Sequence, residues 1–190
     1  MRIGVYVGSF DPVHKGHIKM IKQLLNRRMI TKVVLVATGS YWHKSLNASI
    51  NDRIKMLKTY QSKRIIIDDK NNNLPYTYMV LNALQKEYPN DQLCLIIGDD
   101  LAVDLVKWQN LDELLKFSII VINRFDLDIS KQLDLLPKPN NIYVIKDMQI
   151  EEISSSYVRQ LIDDGKLDHL SKYLDQNIIN YIIDHKLYQV

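Results

Sequence analysis

The sequence predicts an α/β fold: a doubly wound parallel sheet with helices on both faces and a small C-terminal helical extension. Three observations carry this. Apolar runs rich in Val and Ile recur at residues 3–7, 32–37, 64–67, 92–97, 118–122 and 141–145. They are apolar almost throughout, as strands covered on both faces must be. Amphipathic stretches of helical period lie between them, and such alternation favours parallel strands joined by crossovers.

Taken in order, the first run, Ile3-Gly4-Val5-Tyr6-Val7, ends at Gly8, where the chain can turn sharply. Ser9 and Asp11 are turn formers, and Pro12 disfavours the helical region for Asp11, so a tight loop precedes a helix over 15–25. The second strand is followed by a polar loop and a helix over 49–62. After the third strand, Asn71-Asn72-Asn73-Leu74-Pro75 leads to a helix over 76–88 that stops at Pro89-Asn90. Two short helices fit 101–117, and 125–141 reads as a long polar connection. Residues 167–190 form two short amphipathic helices whose Leu170, Tyr173, Leu174, Ile178, Ile179, Ile182 and Ile183 suit packing against the sheet. Residues 1–190 are thus expected to form one domain.

Composition narrows the function classes. The net charge is only +3, from 25 basic and 22 acidic residues spread along the chain, so nothing argues for nucleic acid or an anionic membrane as partner. Cys94 is the only cysteine and sits inside an apolar run, so no intrachain disulfide can form, which fits a reducing cytoplasm. No apolar run approaches the ~20 residues of a membrane span, and Met1-Arg2-Ile3 enters a strand without a signal-peptide pattern. An oligomer is allowed.

In doubly wound sheets ligands bind beyond the carboxyl ends of the strands, so the loops there matter most. Gly8-Ser9-Phe10-Asp11-Pro12-Val13-His14-Lys15-Gly16-His17 opens a helix whose first N–H groups and positive dipole end face an anion. His14 and His17 can share one face of the first turn; spacing alone fits phosphate donors, metal ligands or surface residues. Lys44 lies in the loop after the second strand, and Thr77 at a helix start can cap it or touch a ligand. Gly98-Asp99-Asp100 ends the fourth strand: Asp100 could accept both hydrogen bonds of a ribose diol, join a metal site or cap a helix. Trp108 follows within the next helix and by itself reads as a core aromatic, the usual fate of tryptophan. Ser154-Ser155-Ser156 with Arg159 offers hydroxyl, backbone and guanidinium donors to one polyphosphate.

The first string resembles the (T/H)-x-G-H motif of the nucleotidyltransferase superfamily, and Ile153-Ser154-Ser155-Ser156-Tyr157-Val158-Arg159 resembles its second motif, Ile-Ser-Ser-Thr-x-x-Arg, with Ser156 replacing Thr. Between them, His43-Lys44 with Arg53-Ile54-Lys55-Met56-Leu57, Tyr76-Thr77, and Gly98-x-Asp100…Trp108 are similar, in order, to segments of nicotinate mononucleotide adenylyltransferases. Tyr41-Trp42 replaces two prolines of that family, and Asn123-Arg124-Phe125-Asp126 departs from its Arg-Pro-Gly. The resemblance implies a Rossmann-like fold and transfer of AMP from ATP to nicotinate mononucleotide, giving deamido-NAD and pyrophosphate, with Mg²⁺ carried by ATP and no metal held by the protein. It implies that His14, His17, Lys44 and Arg159 stabilise charge, and that Gly8, Ser9, Phe10, Gly16, Gly98, Asp100, Ser154, Ser155 and Ser156 bind ATP. Ser9, Lys44, Thr77 and Trp108 would meet the mononucleotide. The alternatives are transfer to nicotinamide mononucleotide or phosphopantetheine, and a nucleotide-binding regulator without activity.

Overall fold

The computed structural model describes every residue except 40–45, 138–140, 150–152 and 190. Its strands are β1 (Arg2–Gly8), β2 (Lys32–Ala37), β3 (Ile65–Asp68), β4 (Gln92–Gly98), β5 (Ser118–Ile122) and β6 (Ile142–Ile145). They form one six-stranded sheet, parallel throughout, in the order β3-β2-β1-β4-β5-β6. That order is doubly wound, and its direction reverses between β1 and β4, which makes the carboxyl ends of those two strands the place for a ligand crevice. Both end in glycine, Gly8 and Gly98.

Alternation along the strands divides the core into two layers. Tyr6, Leu35, Cys94, Ile96 and Ile120 face one layer, together with α1 (Lys15–Asn26), α2 (Ile50–Lys58), α7 (Ser155–Asp163) and α8 (Gln176–Asp184). Ile3, Val5, Leu95, Ile97 and Ile119 face the other, with α3 (Thr77–Glu87), α4 (Asp99–Ala102) and α5 (Leu111–Leu114). The expected strands all form. Where two helices were expected over 101–117, α4, a 3-10 turn (Leu105–Lys107) and α5 stand instead. The 125–141 connection carries a short helix, α6 (Ser130–Asp134). The extension is a 3-10 segment (Leu167–Lys172) and α8; Leu170, Leu174, Ile178, Ile179 and Ile182 are buried as expected, but Ile183 is exposed. No helix among the described residues is long and apolar enough to cross a membrane.

The tail is tied to the crevice. Asp11, only 2% exposed, lies in the loop after β1. Its Oδ1 accepts from the Tyr188 hydroxyl at 2.9 Å and the Ala48 N–H at 3.1 Å, and its Oδ2 from the Asn47 N–H at 2.8 Å. Burial, with Asp11 next to it, pushes the Tyr188 phenol far above its ordinary range, so it is a permanent donor. Removing that donor leaves a buried carboxylate oxygen one bond short. Tyr188→Phe is expected to lower the free energy of unfolding by about 1–3 kcal/mol; urea denaturation checks this, and an unchanged midpoint would show that the tail does not hold the loop.

Candidate functional site

At the end of β1 the chain enters the left-handed region at Phe10 (φ 46°), whose buried ring lies under the loop. The loop delivers His14 to the N-cap of α1 and His17 to its first turn. Their rings stack with centroids 3.6 Å apart and planes 22° from parallel. The His14 N–H donates to His17 Nδ1 at 3.2 Å, and the His17 N–H to His14 Nδ1 at 3.4 Å. Each Nδ1 is therefore an acceptor, which places the proton of each neutral ring on Nε2. Gly16 is needed for close approach here: a Cβ on it would stand 3.1 Å from His14 Nδ1. Phe10 meets the His17 ring edge-on at 5.1 Å.

Burial first, then the positive charge of Arg124, pushes His14 down to about 3. Burial, His14 and Arg124 hold His17 well below its ordinary value. Near neutral pH both rings are uncharged N–H donors. Burial raises the neighbouring Tyr6 phenol to about 12, against a lowering by Arg124.

The second string reaches the same loop from α7. Ser154 is the N-cap, accepting from the Tyr157 N–H at 3.1 Å, which accounts for one of the three hydroxyls as a cap. The Ser155 hydroxyl donates to the Pro12 carbonyl at 2.9 Å. Arg159 donates to the Asp11 carbonyl at 2.6 Å and to Ser156 Oγ at 3.1 Å. Arg53, from α2 and only 1% exposed, donates to the Ser9 carbonyl at 2.5 Å and to the Ala48 carbonyl at 3.3 Å. Backbone carbonyls of this loop thus point at cations and hydroxyls, and the two motifs meet through them.

At the end of β4 the two aspartates separate. Asp100 is exposed, its carboxylate folded back against Gly98. Asp99 is 0% exposed. Arg124 lies close by, its Cδ 3.3 Å from where a Gly98 Cβ would stand, so glycine leaves room for it.

On the opposite side of the sheet edge, Thr77 and Trp108 converge. They line one pocket of about 560 Å³ with Val7, Thr38, Tyr76 and Lys107. Thr77 does not cap its helix: the N-cap is Tyr76, and α3 begins without a side-chain cap. Tyr76 and Tyr78 stack at 5.7 Å, and Lys107 is paired with Asp104 at 2.6 Å. Lys44 lies outside the described residues. The sequence reading passed over Arg124, Asp99 and Lys107 as site residues; for Asp99 and Lys107 the available signal was adjacency to Gly98 and Trp108, and for Arg124 its place directly after β5.

The profile of the cytidylyltransferase-like family matches residues 5–161. The chain is 31% identical over 196 residues to the "Probable nicotinate-nucleotide adenylyltransferase" of Endomicrobium trichonymphae, covering 99% of each. It is 32% identical over 196 residues to the protein of the same description from Borreliella burgdorferi, covering 99% of this chain and 97% of the other. Among solved structures, Plasmodium falciparum nicotinic acid mononucleotide adenylyltransferase complexed with NaAD superposes with a TM-score of 0.82 at 25% identity, over 98% of this chain and 97% of that one. The same enzyme complexed with APC gives 0.79 at 25% identity. The chain belongs to the cytidylyltransferase-like family and, within it, stands with the nicotinate-nucleotide adenylyltransferases.

Proposed function

We propose that this protein transfers AMP from ATP to nicotinate mononucleotide. The observation that carries the reading is the joining of the two phosphate-type strings through the Asp11–Pro12 carbonyls, beside a pocket where Thr77 and Trp108 converge. A phosphate oxygen of the mononucleotide attacks the α-phosphorus of ATP, a P–O bond forms, and the bond to the bridging oxygen breaks so that pyrophosphate leaves with the electron pair. The nucleophile is already an anion, so no general base is required. Catalysis rests on alignment and charge neutralisation.

His14 and His17 contribute Nε2–H donors to phosphate oxygens, Arg159 and Lys44 contribute charge, and Ser156 contributes a hydroxyl, while Ser155, whose proton goes to the Pro12 carbonyl, ties α7 to the loop. Gly8, Ser9, Phe10 and Gly16 shape the backbone around the triphosphate, and Gly98 and Asp100 take the adenosine side. The donors facing the phosphates are imidazole, hydroxyl and guanidinium groups, suited to an anion. They suit Mg²⁺ being carried by the oxygens of ATP; bound there, it would supply countercharge for the pyrophosphate. Trp108 stacks on the pyridine ring. The start of α3 at Thr77, without a side-chain cap, favours an anionic ring substituent.

Three outcomes test this reading. Pyrophosphate release from ATP and Mg²⁺ should be much faster with nicotinate mononucleotide than with nicotinamide mononucleotide or phosphopantetheine; equal rates with the two mononucleotides would remove the acid preference. His17→Ala should lower turnover by at least ~100-fold with the fold intact by circular dichroism, as loss of a transition-state donor does, and near-normal turnover would exclude the assigned role. The third concerns protons. Between pH 7 and 5 the unfolded chain protonates His14 and the native one, held at about 3, does not, so stability falls with pH by about 2 kcal/mol. His14→Asn, which keeps a good N-cap, should shrink that fall in urea denaturation; an identical fall in parent and variant would mean that His14 is not held neutral.

A further inference from the structure

Asp99 occupies an unusual position for a carboxylate. It is fully buried at the junction of β4 and α4, next to the ribose candidate Asp100. Its Oδ2 accepts from the backbone N–H of Phe125 at 3.0 Å and of Leu127 at 3.1 Å, and its Oδ1 from the N–H of Asp100 at 3.0 Å. Two of these donors come from the loop after β5, more than twenty residues away. Burial alone would push the Asp99 carboxyl up, but the N–H groups of Leu127, Phe125, Arg124 and Asp100 outweigh it and hold it below its ordinary value. The same loop is pinned by the Asn123 N–H donating to the Ile145 carbonyl at 3.0 Å and by the Asn123 amide donating to Asp126 at 3.0 Å.

Arg124 lies between these anchors. Its Cδ lies against Gly98, its guanidinium carbon stands 5.3 Å from the centroid of the Phe125 ring, and its charge reaches His14, His17 and Tyr6. We propose that Asp99 is a positioning residue: by tying the N–H groups of Phe125 and Leu127 to the end of β4, it fixes the loop that carries Arg124, whose Cδ lies against Gly98 and whose guanidinium lies over the Phe125 ring, so that this cation serves the phosphate site beside the two histidines. Asp100 and Asp99 then divide the work of the pair, one facing the nucleotide and the other fixing a loop. Because the histidines are neutral, a held cation matters more here than it would beside imidazolium rings. A cation already in place avoids reorganisation when charge develops on the phosphates.

This rests on the adenylyltransferase reading above, and a double-mutant cycle tests it with ATP, Mg²⁺ and nicotinate mononucleotide. Arg124→Ala should lower kcat by roughly tenfold or more, leave the KM for the mononucleotide within about twofold, and be partly rescued by Arg124→Lys. Asp99→Asn, which turns an acceptor into a donor facing backbone N–H groups, should lower kcat in the same way. The double variant should then be no slower than Arg124→Ala alone, within about twofold. A purely structural Asp99 would lower the melting temperature without that non-additivity. If Asp99→Asn does not fold, Asp99→Ser, which keeps an acceptor oxygen without a buried charge, takes its place in the cycle. Multiplicative losses, or an Arg124→Ala enzyme at parental kcat, overturn the proposal while the parent still turns over. A parent that releases no pyrophosphate overturns the functional reading and this inference with it.

Discussion

The buried Asp11 carboxylate is the constraint on which the crevice depends. An ionised carboxylate removed from water is tolerated only when donors surround it. Here they come from the segment before α2, through Asn47 and Ala48, and from the tail, through Tyr188. The loop's own carbonyls at Ser9, Asp11 and Pro12 are taken by Arg53, Arg159 and Ser155. Segments far apart in sequence therefore share one short loop. A shift of Ala48 or Tyr188 would break a buried hydrogen bond to Asp11, and the same loop sets where His14 starts α1.

The histidines show what such packing does to chemistry. Stacked on one another, edge-on to Phe10 and reached by the field of Arg124, they shed the proton that a solvent-exposed imidazole near neutrality would partly carry. What is lost in charge is gained in definition, because both Nδ1 atoms are occupied by backbone N–H groups and the remaining proton has one place to be, Nε2. On the proposed reading, two fixed neutral donors within the field of Arg124 can bind an anion without first repelling each other.

The architecture was legible in the sequence because strands covered on both faces leave long apolar runs, and such runs are a local property. The two strings proposed to meet the phosphates were legible for the same reason: each is contiguous and lies at the start of a helix. The Gly-x-Asp pattern singled out Asp100, but residue type and spacing could not show that its neighbour Asp99 is the one that the β4–α4 junction turns inward. Arg124 stands in a segment that departs from the family pattern, and its relevance comes from Gly98, which precedes it by a whole strand and helix. Thr77 looked like a cap, but its helix starts one residue earlier than a Thr cap would require, with Tyr76 at the N-cap and Thr77 already in the first turn. Ile183 fitted the apolar stripe of α8, yet it is exposed while its neighbour Ile182 in the same turn is buried.

The division of the core into two layers explains why the site has two unlike halves. The histidine loop, α2 and α7 belong to one layer, and the pocket of Thr77 and Trp108 to the other, with α3 and α5. They meet only at the sheet's carboxyl edge, where Val7 lines the pocket and Gly8 begins the phosphate loop. Successive strand residues point to opposite faces, so one strand end can serve both halves at a separation of one residue. On the proposed reading, ATP lies over one layer and the acceptor over the other, and their phosphates have a single place to come together. A reaction that needs no base and no covalent intermediate asks chiefly for such a meeting point. The reversal of strand order between β1 and β4 provides it, because there the crossovers diverge and leave the edge uncovered.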